Sequence, residues 1–160
     1  MEYAEYVDAQ VCRIVQEEAK LYAITSDTLN TGFRHNAFRD AVLTRLLALQ
    51  ICGEKECTIP ASPYNDCDRN RKADLFAGKC GLYEFKTGPK TDADVKQLLG
   101  YLANAPATLN ILFSALIHLS KDGTATIHRV TSCTLHPQPQ HLHPTPQTLD
   151  RDSCTLNPTP

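Results

Sequence analysis

A chain of 160 residues, 42% apolar and 21% charged, has the length of one domain and enough apolar residues for a single core, which excludes a wholly disordered protein. Its longest largely apolar stretch, Leu109 to Leu119, falls short of the roughly 18 residues that a membrane-spanning helix needs. The acidic start, Met1-Glu-Tyr-Ala-Glu-Tyr, lacks the basic and then apolar order of a signal peptide, so an intracellular protein without a membrane partner is expected. The net charge of −2 hides a split: residues 1–30 hold six acidic against two basic side chains, residues 31–130 ten against thirteen. That balance excludes neither a nucleic-acid partner nor its absence.

Residues 3–22 carry Val7, Val11, Ile14 and Val15 at helical spacing, and 25–32 read as a loop rich in Thr, Ser, Asn and Asp. A second helix is expected over 35–50, where Phe38, Ala41, Val42, Arg45, Leu46 and Leu49 share one face and Gly53 follows. Residues 53–71 read as irregular, with a short strand at 56–60. A hairpin follows, with strands near 72–77 and 81–86 and a turn containing Gly78. Gly88-Pro89 interrupts the chain, and Thr91 with Asp94 predicts a capped helix ending near Ala105, before Pro106. Leu109 to Leu119 predicts a buried central strand, Asp122-Gly123 a hairpin turn, and Ala125 to Val130 the last strand. From Thr134 the chain is a decaying proline-containing repeat that holds six of the ten prolines. It predicts a disordered low-complexity tail over 131–160, whose His136, His141 and His143 take no part in the chemistry. Residues 1–130 form the domain, of α/β class, with a mixed sheet between helices.

Seven cysteines are present, an odd number, and no two are spaced as a CxxC pair. They read as free thiols rather than as disulfides or a zinc site. The densest basic patch, Arg69, Arg71, Lys72 and Lys79, is a candidate contact for a phosphate backbone. Charged residues in such a loop are also what an ordinary solvated surface carries.

The chemistry concentrates in one stretch. In Asp74-x9-Glu84-x-Lys86, residues two apart on a strand share a face, so Glu84 and Lys86 point one way and Tyr83 and Phe85 the other. With the turn centred near Lys79, Asp74 lies opposite Glu84. Two carboxylates and an ammonium then converge, a costly arrangement to bury without compensation. A divalent cation such as Mg2+ or Mn2+ supplies it, with carboxylate oxygens as its preferred ligands. Such an ion activates water and offsets charge at a scissile phosphate, with Lys86 beside it. Taken alone, the same spacing also describes a salt-bridged pair on an exposed strand.

This pattern resembles the PD-(D/E)XK nuclease superfamily, whose core runs helix, three strands, helix, strand. The resemblance covers about residues 30–130 and implies a restriction-endonuclease-like fold. Gln97-Leu-Leu-Gly-Tyr101, eleven residues after Lys86, is similar to the Q-x-x-x-Y element of the RecB-like branch, and Gly32-Phe-Arg-His35 to its histidine at the first core helix. The resemblance implies a Mg2+- or Mn2+-dependent nuclease, most plausibly acting on DNA. His35, Asp74, Glu84 and the carbonyl of Phe85 would be ligands, Lys86 would assist the attacking water, and Gln97 and Tyr101 would position the strand or the lysine. Arg69, Arg71 and Lys72 would meet phosphates. His35 is placed ahead of the further carboxylates Glu17, Glu18 and Asp40, while Asp66 and Asp68 read as surface residues. Ala73 stands where the name-giving proline would be. Some RecB-like nucleases hold an iron–sulfur cluster through cysteines split around the core, an arrangement the cysteines here do not follow. Two rivals keep the fold: an RNA endonuclease of cap-snatching type, and a catalytically silent domain that binds nucleic acid or protein.

Overall fold

A computed structural model describes residues 2–23, 31–59, 71–120 and 122–130. Helices α1 (Tyr3–Ala23) and α2 (Thr31–Ala48) precede strands β1 (Gly53–Ile59), β2 (Arg71–Ala77) and β3 (Gly81–Thr87). Helix α3 (Asp92–Asn104) and a short 3-10 turn (Ala107–Leu109) lead to β4 (Phe113–Leu119) and β5 (Ala125–Arg129). The five strands form one mixed sheet in the order β1-β2-β3-β4-β5. Only β3 and β4 run parallel, and α3 is the crossover that a parallel pair requires.

The apolar stripe of α1, Val7, Val11, Ile14 and Val15, is fully buried. With Phe38, Val42 and Leu46 of α2 it covers one sheet face through Leu75, Tyr83, Phe85, Ala115 and Ile117. The other face carries Cys57, Ile59, Ala73, Phe76, Leu82 and Leu116 under Leu98 and Tyr101 of α3. The α/β class and the mixed sheet between helices are therefore as the sequence indicates. The tail, Arg69, Asp66 and Asp68 lie outside the described residues.

Several boundaries differ from the sequence reading. Helix α2 starts at Thr31, not 35, so the loop expected over 25–32 gives up its end. The stretch read as irregular from 53 is a full strand, β1: Glu54, Lys55 and Glu56 are exposed on a sheet edge and so show no alternation. The run from Leu109 becomes strand only at Phe113: a 3-10 turn over Ala107–Leu109 ends at its first residue, and Asn110 caps that turn with a left-handed φ of 44°.

Two local features place the site. In the β2–β3 turn, Gly78 and Lys79 have φ of 61° and 59°, the handedness that two-strand hairpins favour. A Cβ on Gly78 would also lie 2.6 Å from Val7 of α1. The second feature is a slip in alternation. Cys57 pairs with Ala73 and Lys55 with Leu75, and between these pairs Glu56 has φ 54°. Ala73 packs towards α3, yet Leu75 packs towards α1 and α2. Asp74 occupies the position where β2 changes faces.

Candidate active site

The β2–β3 ladder runs from Ala77–Gly81 to Leu75–Tyr83, one residue short of Asp74 and Glu84. Beyond it the carboxylates take over the backbone. The Asp74 N–H donates to Glu84 Oε2 at 3.3 Å, and the Phe85 N–H donates to Asp74 Oδ2 at 2.9 Å. The two acids expected opposite each other thus meet across a fork between strands. Glu84 and Lys86 follow Leu82 on the face covered by α3, in keeping with the two-residue period.

Three layers contribute to this fork. From α2, His35 Nε2 lies 3.0 Å from Asp74 Oδ2. From β3, Lys86 Nζ donates to Glu84 Oε1 at 2.9 Å. From α3, Gln97 accepts from Lys86 at 3.0 Å through Oε1 and donates to Glu84 Oε1 at 2.8 Å and to Tyr101 Oη at 2.5 Å. The Tyr101 hydroxyl then donates to the Lys72 carbonyl at 3.1 Å, which returns the network to β2. The i and i+4 placement of Gln97 and Tyr101 brings both to the site as the sequence suggests. Tyr101, however, is not off the apolar face: it is 2% exposed and packs beside Leu98, with only its hydroxyl reaching the polar network.

The two acids differ in environment. Burial pushes Asp74 up, but the His35 hydrogen bond and charge, the Phe85 N–H and the Lys86 charge outweigh it and hold the carboxyl below its ordinary range. Burial and the nearby Asp74 charge push Glu84 up to about 7, against the pull of Lys86 and the Asp74 N–H. Burial alone would lower Lys86, yet its hydrogen bond to Glu84 and the surrounding carboxylates raise it. One carboxylate kept ionised beside one that titrates near neutrality is the division of labour that acid–base sites use.

Arg39 is a component that sequence reasoning missed. It lies one turn after His35 on α2, its side chain only 5% exposed, with Nη1 3.9 Å from Asp74 Oδ1 and 3.6 Å from Glu56. It also grips Asp40 Oδ1 through Nε and Nη2, each at 3.1 Å. A basic residue beside an apolar stripe reads as solvated surface; its spacing from His35 was the available signal.

The other candidates sort out by position. Glu17 and Glu18 are held by Arg45 between α1 and α2, and Asp40 by Arg39 and Lys55. Arg71 and Lys72 open β2 beside the site, whereas Lys79 sits in the turn at its far end, so the expected basic patch is divided. Lys72 pairs with Glu56 at 3.3 Å. Arg71 lies across α3 at Gly100, where a Cβ would meet its Nη1 at 2.9 Å. Cys57 and Cys80 are buried, Cys12 is partly buried and Cys52 exposed, all as free thiols.

Among the described residues, no three His, Cys, Asp or Glu side chains stand as a ready-made metal-ligand cluster. Glu84 is turned to Lys86 and Gln97, and His35 is engaged with Asp74. The donor chemistry nonetheless fits a hard divalent cation: two carboxylates share a fork, and their oxygens are the ligands such an ion prefers. No helix among the described residues is long and apolar enough to cross a membrane. No family model, no curated protein and no solved structure matches the chain.

Proposed function

We propose that the chain is a Mg2+- or Mn2+-dependent nuclease domain of PD-(D/E)XK type, hydrolysing phosphodiester bonds of nucleic acid, with DNA the favoured substrate. The observation that carries this reading is the Asp74–Glu84–Lys86 fork, completed from α3 by Gln97 and Tyr101. The resemblance to restriction-endonuclease-like folds adds to it through the same residues.

In this reading Asp74 and Glu84 hold the cation, and His35 and the Phe85 carbonyl complete the protein's share of ligands. The bound ion would polarise the scissile phosphate and lower the pKa of a water molecule. Lys86 orients that water and offsets the charge that builds on phosphorus-bound oxygens. The water oxygen bonds to phosphorus as the ester oxygen leaves, giving a phosphate monoester and a hydroxyl. Gln97 fixes the Lys86 ammonium, and Tyr101 fixes Gln97. Arg71 and Lys72, with Arg69 outside the described residues, meet the backbone phosphates.

The test is a cleavage assay on labelled single-stranded DNA, duplex DNA and RNA with Mn2+, Mg2+ or EDTA. Metal-dependent cleavage that the Glu84→Ala/Lys86→Ala variant loses supports the reading, and the substrate cut separates DNA from RNA. One observation favours a second reading, a silent binding domain: Lys86 is already engaged by both Glu84 and Gln97. A folded chain that cuts no substrate and gains no thermal stability from Mn2+ would favour it.

A further inference from the structure

Glu56 is a third carboxylate beside the fork, and the proposed mechanism gives it no part. The β1–β2 register pairs Lys55 with Leu75 and Cys57 with Ala73, so Glu56 stands across from Asp74. Its φ of 54° lies in the left-handed region, which residues other than glycine adopt at a cost. Its side chain is half exposed and reaches two cations. Oε2 accepts from Lys72 Nζ at 3.3 Å, and Oε1 lies 3.6 Å from Arg39 Nη1.

Arg39 is the unusual partner of the two, because its side chain is buried. Asp40 Oδ1 accepts from its Nε and Nη2 at 3.1 Å each. Nη1 remains, 3.6 Å from Glu56 and 3.9 Å from Asp74, which are charge-pairing distances too long for hydrogen bonds. A buried guanidinium ordinarily finds close acceptors for its hydrogens. Here an arginine and a lysine converge on one anionic group, and the arginine's share is met only loosely. A phosphate suits that geometry better than the carboxylate does. Its oxygens accept from several donors at once, whereas Glu56 is tethered to β1 through a strained residue and offers one oxygen to each cation.

We propose that Arg39 and Lys72 form a seat for a backbone phosphate of the substrate, and that the Glu56 carboxylate fills this seat until nucleic acid displaces it. The inference rests on the nuclease reading and adds a built-in competitor to it. The half-exposed Glu56 side chain turns out to water as the phosphate arrives, and Arg39 Nη1 gains a close acceptor. Asp74, 3.9 Å from the same nitrogen, sets the seated phosphate beside the carboxylates proposed to hold the metal. Glu56 therefore lowers substrate affinity and takes no part in bond breaking.

The test titrates the full chain with labelled single-stranded DNA, duplex DNA and RNA over a range of salt, with Ca2+ to allow binding without turnover. Glu56→Gln removes the competing charge and keeps the size of the side chain. It should bind about fivefold more tightly than the wild type, the upper range for an exposed ion pair. Its affinity should also fall more steeply with salt, by about one further phosphate contact. Glu54→Gln, which removes the same charge two residues along the exposed edge, should stay within about twofold of the wild type. Lys72→Ala made in the Glu56→Gln protein should return most of the gain. The Arg39 guanidinium resonances, followed by NMR, should move when nucleic acid binds. A gain for Glu56→Gln no larger than that for Glu54→Gln, or Arg39 resonances that stay in place during binding, overturns the phosphate seat; metal-dependent cleavage alongside leaves the nuclease reading intact. Nucleic acid neither bound nor cut by any of these folded proteins overturns both.

Discussion

Two neighbouring residues of β3 anchor two buried polar clusters on opposite sides of the sheet. Tyr83 donates to Asp8 Oδ1 at 3.0 Å, and Arg129 of β5 bonds the other Asp8 oxygen. Here one carboxylate meets one guanidinium and one hydroxyl, and the cluster ties α1 to β3 and β5. Burial and the Asp8 charge raise the Tyr83 hydroxyl far above its ordinary value, so it stays a donor. Glu84, facing the other way, belongs to a cluster with two carboxylates close together, and burial and Asp74 lift it to about 7. The first cluster is balanced and ties helix to sheet. The second sets two carboxylates side by side, one held ionised and the other raised by burial and by its neighbour's charge.

Substitutions can test that contrast. The largest effect is expected for Asp8→Ala, which strands Arg129 and the Tyr83 hydroxyl: a loss of about 3 kcal/mol, or roughly 10 °C in Tm. Catalytic and metal-dependent signals should persist below the new Tm. If Asp8→Ala melts like the wild type, the cluster is not a fastener.

Glu84→Gln should act in the opposite sense. A carboxyl whose folded pKa lies above its unfolded value binds its proton more tightly when folded. Stability therefore falls as pH rises from about 4.5 to about 7, by about 3 kcal/mol at most, and is level above. Metal-free Glu84→Gln lacks this decline, so it should be more stable than the wild type at pH 8 and equal to it near pH 4.5. Mn2+ should stabilise only the wild type, and its binding should release a proton near pH 7. Parallel pH–stability curves for the two proteins would contradict the raised Glu84.

Arg39→Gln should cost about 2 kcal/mol, because Asp74 and Glu56 lose a buried cation. A further outcome is a shift of the metal-free pH profile. The smallest effect is expected for Tyr101→Phe: about 1 kcal/mol for the bond to the Lys72 carbonyl, with cleavage slowed because Gln97 loses its support. Thermal melts and single-turnover rates read both.

The residues joined by short, regular spacings were legible in the sequence. Glu84 and Lys86 share a strand face, Asp74 and Glu84 are symmetric about the Gly78–Lys79 turn, and Gln97 and Tyr101 are one helical turn apart. The helix cap at Thr91 was equally plain, since Asp94 completes its reciprocal pair. What escaped depends on contacts between distant segments. The burial of Arg39 follows from Glu56 and Asp74 converging on it. The length of β1 was hidden because the charged Glu54, Lys55 and Glu56 are tolerated on an edge strand. Tyr101 reads as polar surface until its ring is seen against Leu98.

The change of face at Asp74 has a consequence for inheritance. A strand with strict alternation sends each side chain to one layer, so one insertion merely exchanges inside for outside. At Asp74 a single residue speaks to both layers, touching His35 of α2 and sharing the fork with Glu84, which Gln97 of α3 holds. The β1–β2 register runs unbroken on both sides of it, so adding or removing one residue in β2 would carry Asp74 out of line with His35 and Glu84 together.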